Sequence, residues 1–97
     1  LSMIELKPQL NSIVSFPNPS HGVQDFQITL IDEGMVKLII TDMTGRIIDI
    51  TPSKWMPSGQ SIYNYSKDLS NGSYYLSLEL DGRVVGSNNL IIYTHKH

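Results

Sequence analysis

The chain has 97 residues, a length that corresponds to one domain with a modest core and little room for an internal active site. It carries 7 Lys and Arg against 9 Asp and Glu, a formal net charge of -2, so it lacks the broad basic face that binds a nucleic-acid backbone. The absence of cysteine excludes disulfides, thiolate metal sites and a cysteine nucleophile. No apolar run approaches the ~20 residues of a membrane-spanning helix.

Short alternating segments, each closed by Gly, Pro, Asn or Asp, predict antiparallel β-strands from the start of the domain. The segment NSIVSF predicts the first strand, and we expect Pro17 and Pro19 to terminate it because proline cannot donate to a β-ladder. Two core strands follow, and alternate residues of each should be buried: Phe26, Ile28 and Leu30 in one, and Val36, Leu38 and Ile40 in the other.

The second half of the chain continues the same pattern. Gly45 in DMTGR should adopt a positive φ and form a hairpin with the strand RIIDIT, whereas PSKWMPSGQ has two prolines and no period and predicts a long loop. A short strand over SIYNYS leads to a turn at Asn71-Gly72 and then to the clearest strand, SYYLSLEL. A two-residue turn at Asp81-Gly82 precedes the last strand, RVVGSNNLIIY, which should be interrupted near Gly86.

About seven short strands at hairpin spacing predict an all-β fold, an antiparallel β-sandwich of immunoglobulin-like architecture. No window sustains the apolar period of a helix without meeting Gly or Pro. We expect residues 1–10 to be a lead-in or linker and residues 11–97 to form the single domain.

Four of the segments that punctuate these strands occur in a distinctive order: FPNPSHG, TDMTGRII, LSNGSYYLSLELDGR and NLIIY. Together they resemble the C-terminal sorting domain of the type IX (Por) secretion system, over Ile13–Tyr93. The positions that carry the resemblance are Pro17, Asn18, Pro19, Gly22, Asp42, Gly45, Arg46, Leu69, Gly72 and Tyr74. The sequence departs from the family pattern at Asn88 and Asn89, where family members often carry basic residues.

The resemblance implies an export signal and not an enzyme. In this family the domain follows a cargo domain, the translocon of the Gram-negative outer membrane recognises it, and a sortase-type peptidase commonly removes it. The cargo then reaches the medium or the cell surface by way of the periplasm and the outer membrane. On this reading the translocon contacts the final strand and the tail, at Leu90, Ile91, Ile92 and Lys96, and no cofactor or metal takes part.

The motif residues also have structural explanations. Two prolines bias the corner toward extended conformations whether or not a partner binds it. Asp42 and Arg46 flank a hairpin and should pair across it, and Tyr74 should place its ring in the core with its hydroxyl near the surface. In the sorting hypothesis these residues build the scaffold.

The main alternative is a carbohydrate-binding or adhesion module of a surface protein. Four aromatic residues could offer flat rings to a sugar: Trp55, Tyr63, Tyr65 and Tyr75. An exposed coplanar pair would support this reading, whereas Trp55 could instead cover one open end of the sandwich.

Catalytic and metal-binding readings have less support. The sequence has no G-x-S-x-G motif and no convincing carboxylate pair for hydrolysis. His95 and His97 would lie on one face of an extended tail and could form a zinc site with His21, but titrating surface histidines are the simpler interpretation.

Overall fold

The computed structural model describes residues 10–18 and 23–93. This part of the chain is all-β, with eight strands where the sequence predicts about seven. The strands are β1 (Ser12–Asn18), β2 (Val23–Leu30), β3 (Gly34–Asp42), β4 (Ile47–Ile50), β5 (Lys54–Met56), β6 (Gly59–Tyr65), β7 (Gly72–Leu80) and β8 (Arg83–Ile92). They form two antiparallel sheets, one in the order β1-β2-β6 and one in the order β4-β3-β7-β8, with β5 also paired to β3. The predicted sandwich is therefore confirmed.

The core forms where the alternation of the sequence places it. The predicted inward residues of β2 and β3 are all fully buried, as are Leu76 and Leu78 of β7. Leu90 of β8 and Ile13 of β1 complete the same apolar cluster. Since successive side chains of a strand point to opposite faces, a shift of any one strand by one residue would turn its members of this cluster toward solvent.

The segment between β4 and β6 corrects one prediction. PSKWMPSGQ is not a continuous loop, because Lys54–Met56 form β5 and β6 begins at Gly59. The first residues of β3 extend beyond the end of β4, and β5 pairs with them along the same edge, with Trp55 opposite Met35. Burial of Met56 anchors this three-residue strand despite its two flanking prolines.

The proline corner corrects a second prediction. β1 does not stop before Pro17 but continues to Asn18, with Pro17 opposite Gln24 of β2. β1 is an edge strand, and an edge strand can tolerate a proline because one row of its backbone groups needs no partner in the sheet. Pro19 lies outside the described residues.

The hairpin turns follow the sequence prediction. Gly45 has φ 91°, and Asp81 and Gly82 have φ 51° and 87°, as a two-residue turn between antiparallel strands requires. The Asp81 carboxylate also accepts a hydrogen bond from the N–H of Met35 (2.9 Å), which ties this turn to the start of β3. The Asn71-Gly72 pair instead ends a segment that crosses from one sheet to the other, and Gly72 is the first residue of β7.

The last strand is interrupted where the sequence predicts. Leu78 lies opposite Gly86 and Glu79 opposite Val84, so β8 carries one extra residue, Val85, at a β-bulge. Gly86 also lies close to β1: a Cβ built on it would be 3.5 Å from the carbonyl oxygen of Asn11.

The two sides of the sandwich are closed in different ways. On the β1–β8 side, the Asn88 amide donates a hydrogen bond to the carbonyl of Ile13 (2.8 Å), which joins the two sheets directly. On the opposite side, long side chains bridge the sheets: the Tyr65 hydroxyl of β6 donates to the Asp49 carboxylate of β4, and Lys67 lies 3.2 Å from the same carboxylate.

Thr51 completes the hydrogen-bond ladder of β3 between β4 and β5. Leu38 faces the gap between these two strands, and its carbonyl accepts a hydrogen bond from the N–H of Thr51 (2.9 Å). Its own N–H donates to the Thr51 Oγ1 (2.9 Å). Leu38 is fully buried, so its N–H needs a hydrogen-bond partner. The Thr51 hydroxyl takes the place of the backbone carbonyl that a continuous strand would supply.

Thr51→Val keeps the shape of the side chain but removes this acceptor. The buried N–H of Leu38 then loses its partner, and we expect the free energy of unfolding to fall by about 1–3 kcal/mol in urea denaturation. Thr51→Ser retains the hydroxyl and should be clearly less destabilised. Equal losses in the two variants would contradict the role assigned to the hydroxyl.

Candidate recognition surface

The strand register brings the described motif residues to one end of the sandwich. In the larger sheet, Asp42 at the end of β3 lies opposite Tyr74 near the start of β7, and Tyr74 lies opposite Leu90 near the end of β8. In the smaller sheet, Gln24 of β2 lies between Pro17 of β1 and Tyr65 of β6. The hydrogen bond from Tyr65 to Asp49 then links that end of β6 to β4 in the larger sheet.

We call this region the motif end. Its described members are Pro17–Asn18, Asp42–Arg46, Leu69–Tyr74 and Leu90–Ile92. Pro19, Gly22 and Lys96 lie outside the described residues. The sequence motifs are thus dispersed along the chain but mostly adjacent in the fold.

The Asp42 side chain organises the turn between β3 and β4. Its Oδ1 accepts hydrogen bonds from the Thr44 hydroxyl (2.6 Å), the Thr44 N–H (2.9 Å) and the Arg46 N–H (3.0 Å). Its Oδ2 accepts from the Arg46 Nε at 3.2 Å, which confirms the predicted pairing across the hairpin. The Arg46 side chain is largely exposed, so the ion pair itself contributes little, and the turn depends on the carboxylate.

Electrostatics at this turn favour the ionised carboxylate. The hydrogen bond from the Thr44 hydroxyl has the largest effect and lowers the pKa of Asp42 below its ordinary value of 3.8. Desolvation, the second-largest effect, opposes this shift, and the backbone N–H groups of Arg46 and Thr44 and the Arg46 charge lower the pKa further.

Tyr74 forms a tyrosine corner, a feature of immunoglobulin-like sandwiches. Its ring is buried, and its hydroxyl donates a hydrogen bond to the carbonyl of Ser70, four residues earlier in the crossing segment. Leu69 packs against the core beside it, and Gly72 has φ 156° at the start of β7. The burial of the ring confirms the predicted core position of Tyr74. The motif LSNGSY thus fixes where the chain enters the larger sheet.

The end of β8 offers one exposed side chain among the described residues expected to contact the translocon. Leu90 and Ile92 face the core and are buried, whereas Ile91 is 70% exposed. The side chain of Asn88, at one of the two positions where the sequence departs from the family pattern, joins β8 to β1.

A shallow hollow of about 180 Å³ lies beside Ile91. Its lining contains no charged residue: Met43, Ser73, Tyr74, Tyr75, Asn89 and Ile91. Met43 is 59% exposed and Tyr75 47% exposed, so the hollow and Ile91 form a mostly apolar surface at the motif end. Such a surface favours contact with an apolar side chain of a partner.

A second cluster at the motif end, formed by Asp49, Tyr65 and Lys67, joins the two sheets. Burial has the largest effect in raising the pKa of Tyr65, and its hydrogen bond to Asp49 acts in the same direction. The same hydrogen bond is the main cause that lowers the pKa of Asp49, with support from Lys67. No local spacing relates Asp49 to its partners sixteen and eighteen positions later, so sequence patterns do not predict this cluster.

The fold also places the aromatic rings considered for carbohydrate binding and the residues considered for metal binding. The two stacked ring pairs in the described structure both contain the buried Phe26, which contacts Tyr63 and Tyr65. Trp55 lies on β5 and is 53% exposed, so it does not fold over an end of the sandwich. The described ranges contain no group of three metal-ligating side chains and no helix long and apolar enough to cross a membrane, and His21, His95 and His97 lie outside them.

Tyr74→Phe tests the tyrosine corner. Removal of the hydroxyl leaves the ring in the core but breaks the hydrogen bond to Ser70, so the free energy of unfolding should fall by about 1 kcal/mol. Tyr75→Phe, at the exposed neighbouring position, is the matched control and should change stability by less than about 0.5 kcal/mol. Chemical denaturation of both variants measures the difference, and a larger effect of Tyr75→Phe would disprove the assignment.

The dependence of stability on pH tests the roles of the Asp42 and Asp49 carboxylates. The pKa of Asp42 and that of Asp49 are lowered by folding, so their contribution to stability is present above about pH 4 and is lost as pH falls through the folded-state values. We expect melting temperature to decrease between about pH 5 and pH 2. Asp42→Asn and Asp49→Asn should each be less stable at neutral pH and show a shallower decrease, and slopes identical to that of the native chain would refute this.

Comparison with known proteins agrees with the sequence motifs. A family model described as the secretion system C-terminal sorting domain matches residues 14–93, which is most of the chain and contains the whole motif end. Comparisons with curated proteins and with solved structures gave no significant match. The matched family is one of sorting signals and not of enzymes. The chain therefore belongs to the family of secretion system C-terminal sorting domains, the sorting tails of the type IX (Por) system.

Proposed function

We propose that the motif end is the surface through which this sorting domain is recognised by the type IX translocon, with Ile91 and its apolar hollow as the contact. The proposal depends on one observation: motifs that are far apart in the sequence, from Pro17 to Ile92, lie at one end of the fold, where β8 also ends. The tail beyond β8, with Lys96, continues the chain from this point.

The burial of the motif residues supports a division of roles. The side chains of Asp42 and Tyr74 hold turns, and Leu69, Leu90 and Ile92 contribute to the core. A partner that binds the folded domain would contact mainly the side chains left exposed between them. Ile91, Met43 and Tyr75 are such side chains, and buried apolar contacts commonly dominate the energy of an interface.

The remaining steps follow the family pattern. A cargo domain on the N-terminal side would pass through the outer membrane with this signal, to be released or held at the cell surface. A sortase-type peptidase would remove the domain in the sequence that precedes β1, since cleavage within the paired strands would require unfolding.

A fusion experiment tests the sorting function. We expect a reporter that carries an inner-membrane leader and is followed by this chain to reach the medium or cell surface in a host with type IX machinery. The same fusion should remain in the periplasm of an otherwise identical host that lacks the translocon. Retention in the periplasm of both hosts would remove the sorting function and leave a binding or adhesion module.

Ile91→Asp tests the contact surface. A buried charge in the apolar contact should reduce export about tenfold or more, while the folded domain tolerates it because Ile91 is exposed. Val84→Asp is the matched control, because Val84 is 61% exposed on the same strand but at the opposite end. Export and melting temperature are measured for both, and equal export of the two stable variants would place recognition elsewhere.

Replacement of Thr94, His95, Lys96 and His97 by Gly and Ser separates the tail from the folded surface. If export is lost while the melting temperature is unchanged, Lys96 and its neighbours take part in recognition. If export persists, recognition lies on the sandwich itself, as the Ile91 surface predicts.

A further inference from the structure

The described sheets have four edges, and three of them carry features that discourage pairing with another strand. β1 contains Pro17 and is joined to β8 by the Asn88 hydrogen bond. β8 has a bulge at Val85, and the edge of β8 that pairs with no described strand lies against β1. The remaining edge of the larger sheet is divided between the short strands β4 and β5, with Pro52 between them. Prolines, bulges, short strands and covering elements are the usual means by which proteins protect edges.

The fourth edge, formed by β6, has none of these features. Its seven residues, GQSIYNY, include no charge and no proline. Its register with β2 is continuous from Gln24 opposite Tyr65 to Leu30 opposite Gly59, without a bulge. No described strand pairs with its other side. An unbulged, uncharged edge strand of this length can accept a further strand through its backbone.

The side chains beside this edge indicate what kind of strand fits. Lys54 of β5 places its ammonium 5.5 Å from the centre of the Tyr63 ring. It forms no ion pair with a described carboxylate, unlike Lys37, Arg46 and Lys67. On the outer face of the sheet, Ile62 is 53% exposed. The edge therefore has a cation on one side and an apolar side chain on the other.

We propose that the β6 edge binds an extended strand of a partner protein, with a carboxylate that meets Lys54 and an adjacent apolar residue beside Ile62. Adjacent residues of a strand point to opposite faces, so one short segment satisfies both contacts. Backbone hydrogen bonds supply the affinity and these two side chains the selectivity. The proposal rests on the proposed function in one respect: it takes the partner to be a component of the secretion machinery.

A synthetic strand tests the edge independently of secretion. The probe is an acetylated and amidated heptapeptide of alternating threonine and valine with a central glutamate, and its twin has lysine at the centre. Titrated into the 97-residue chain at low salt, the glutamate peptide should shift the amide resonances of Gly59–Tyr65 most. It should bind about two- to fivefold more tightly than the lysine peptide.

Matched variants identify the contacts. Lys54→Ala should abolish the preference for the glutamate peptide. Lys37→Ala removes a lysine of β3 that pairs with Glu79, and it should leave the preference unchanged. Ile62→Lys should weaken binding because a lysine protects an edge strand. Gln27→Lys puts the same charge on the central strand directly opposite Ile62 and should have little effect. Melting temperatures verify that all four variants are folded.

Three results would overturn the proposal. The resonance shifts could concentrate outside β6, the two peptides could bind equally, or the free chain could dimerise through β6 in sedimentation experiments, which would make a second copy the occupant.

In the secretion host, a photo-cross-linker at Gln60 or Asn64 should label positions about four residues apart in one segment of a translocon component, and the same group at Gln27 should not. Export without such cross-links would remove the machinery as partner, and peptide binding without export would instead contradict the proposed function.

Discussion

The register between β3 and β7 is the constraint on which the rest of this domain depends. Leu38 lies opposite Leu78 and Ile40 opposite Leu76, and these four side chains form the centre of the core. A shift of one residue would turn the core side chains of the shifted strand toward solvent, so the turns at the ends of these strands must hold the register. The Asp42 turn, the tyrosine corner and the Asp81 turn each do so with a specific side-chain hydrogen bond.

The sorting motifs therefore act first on folding. Asp42 and Tyr74 lie opposite each other in the register, and both use their polar groups on neighbouring backbone. Their side chains have little left to offer a partner. We propose that recognition uses the side chains that remain exposed beside them, such as Ile91, together with the free edge of β6.

Local sequence patterns predicted the local structure well. Alternation identified the core strands, and Gly45 and Asp81-Gly82 identified their turns. Features that depend on distant residues were missed. β5 forms because β3 extends beyond β4, Thr51 completes a ladder thirteen residues away, and Tyr65 meets Asp49 across the two sheets. Of the expected contact residues on β8, alternation alone could have indicated that Leu90 and Ile92 face inward, whereas the hollow beside Ile91 requires the fold.

Recognition through the motif end can be measured by hydrogen–deuterium exchange of the domain, free and bound to purified translocon. We expect slower exchange on binding in residues 42–46, 70–75 and 89–93. The turns at the opposite end, residues 31–34 and 81–84, provide the internal reference and should exchange at unchanged rates. Protection confined to that opposite end, or protection distributed evenly over both ends, would contradict recognition through the motif end.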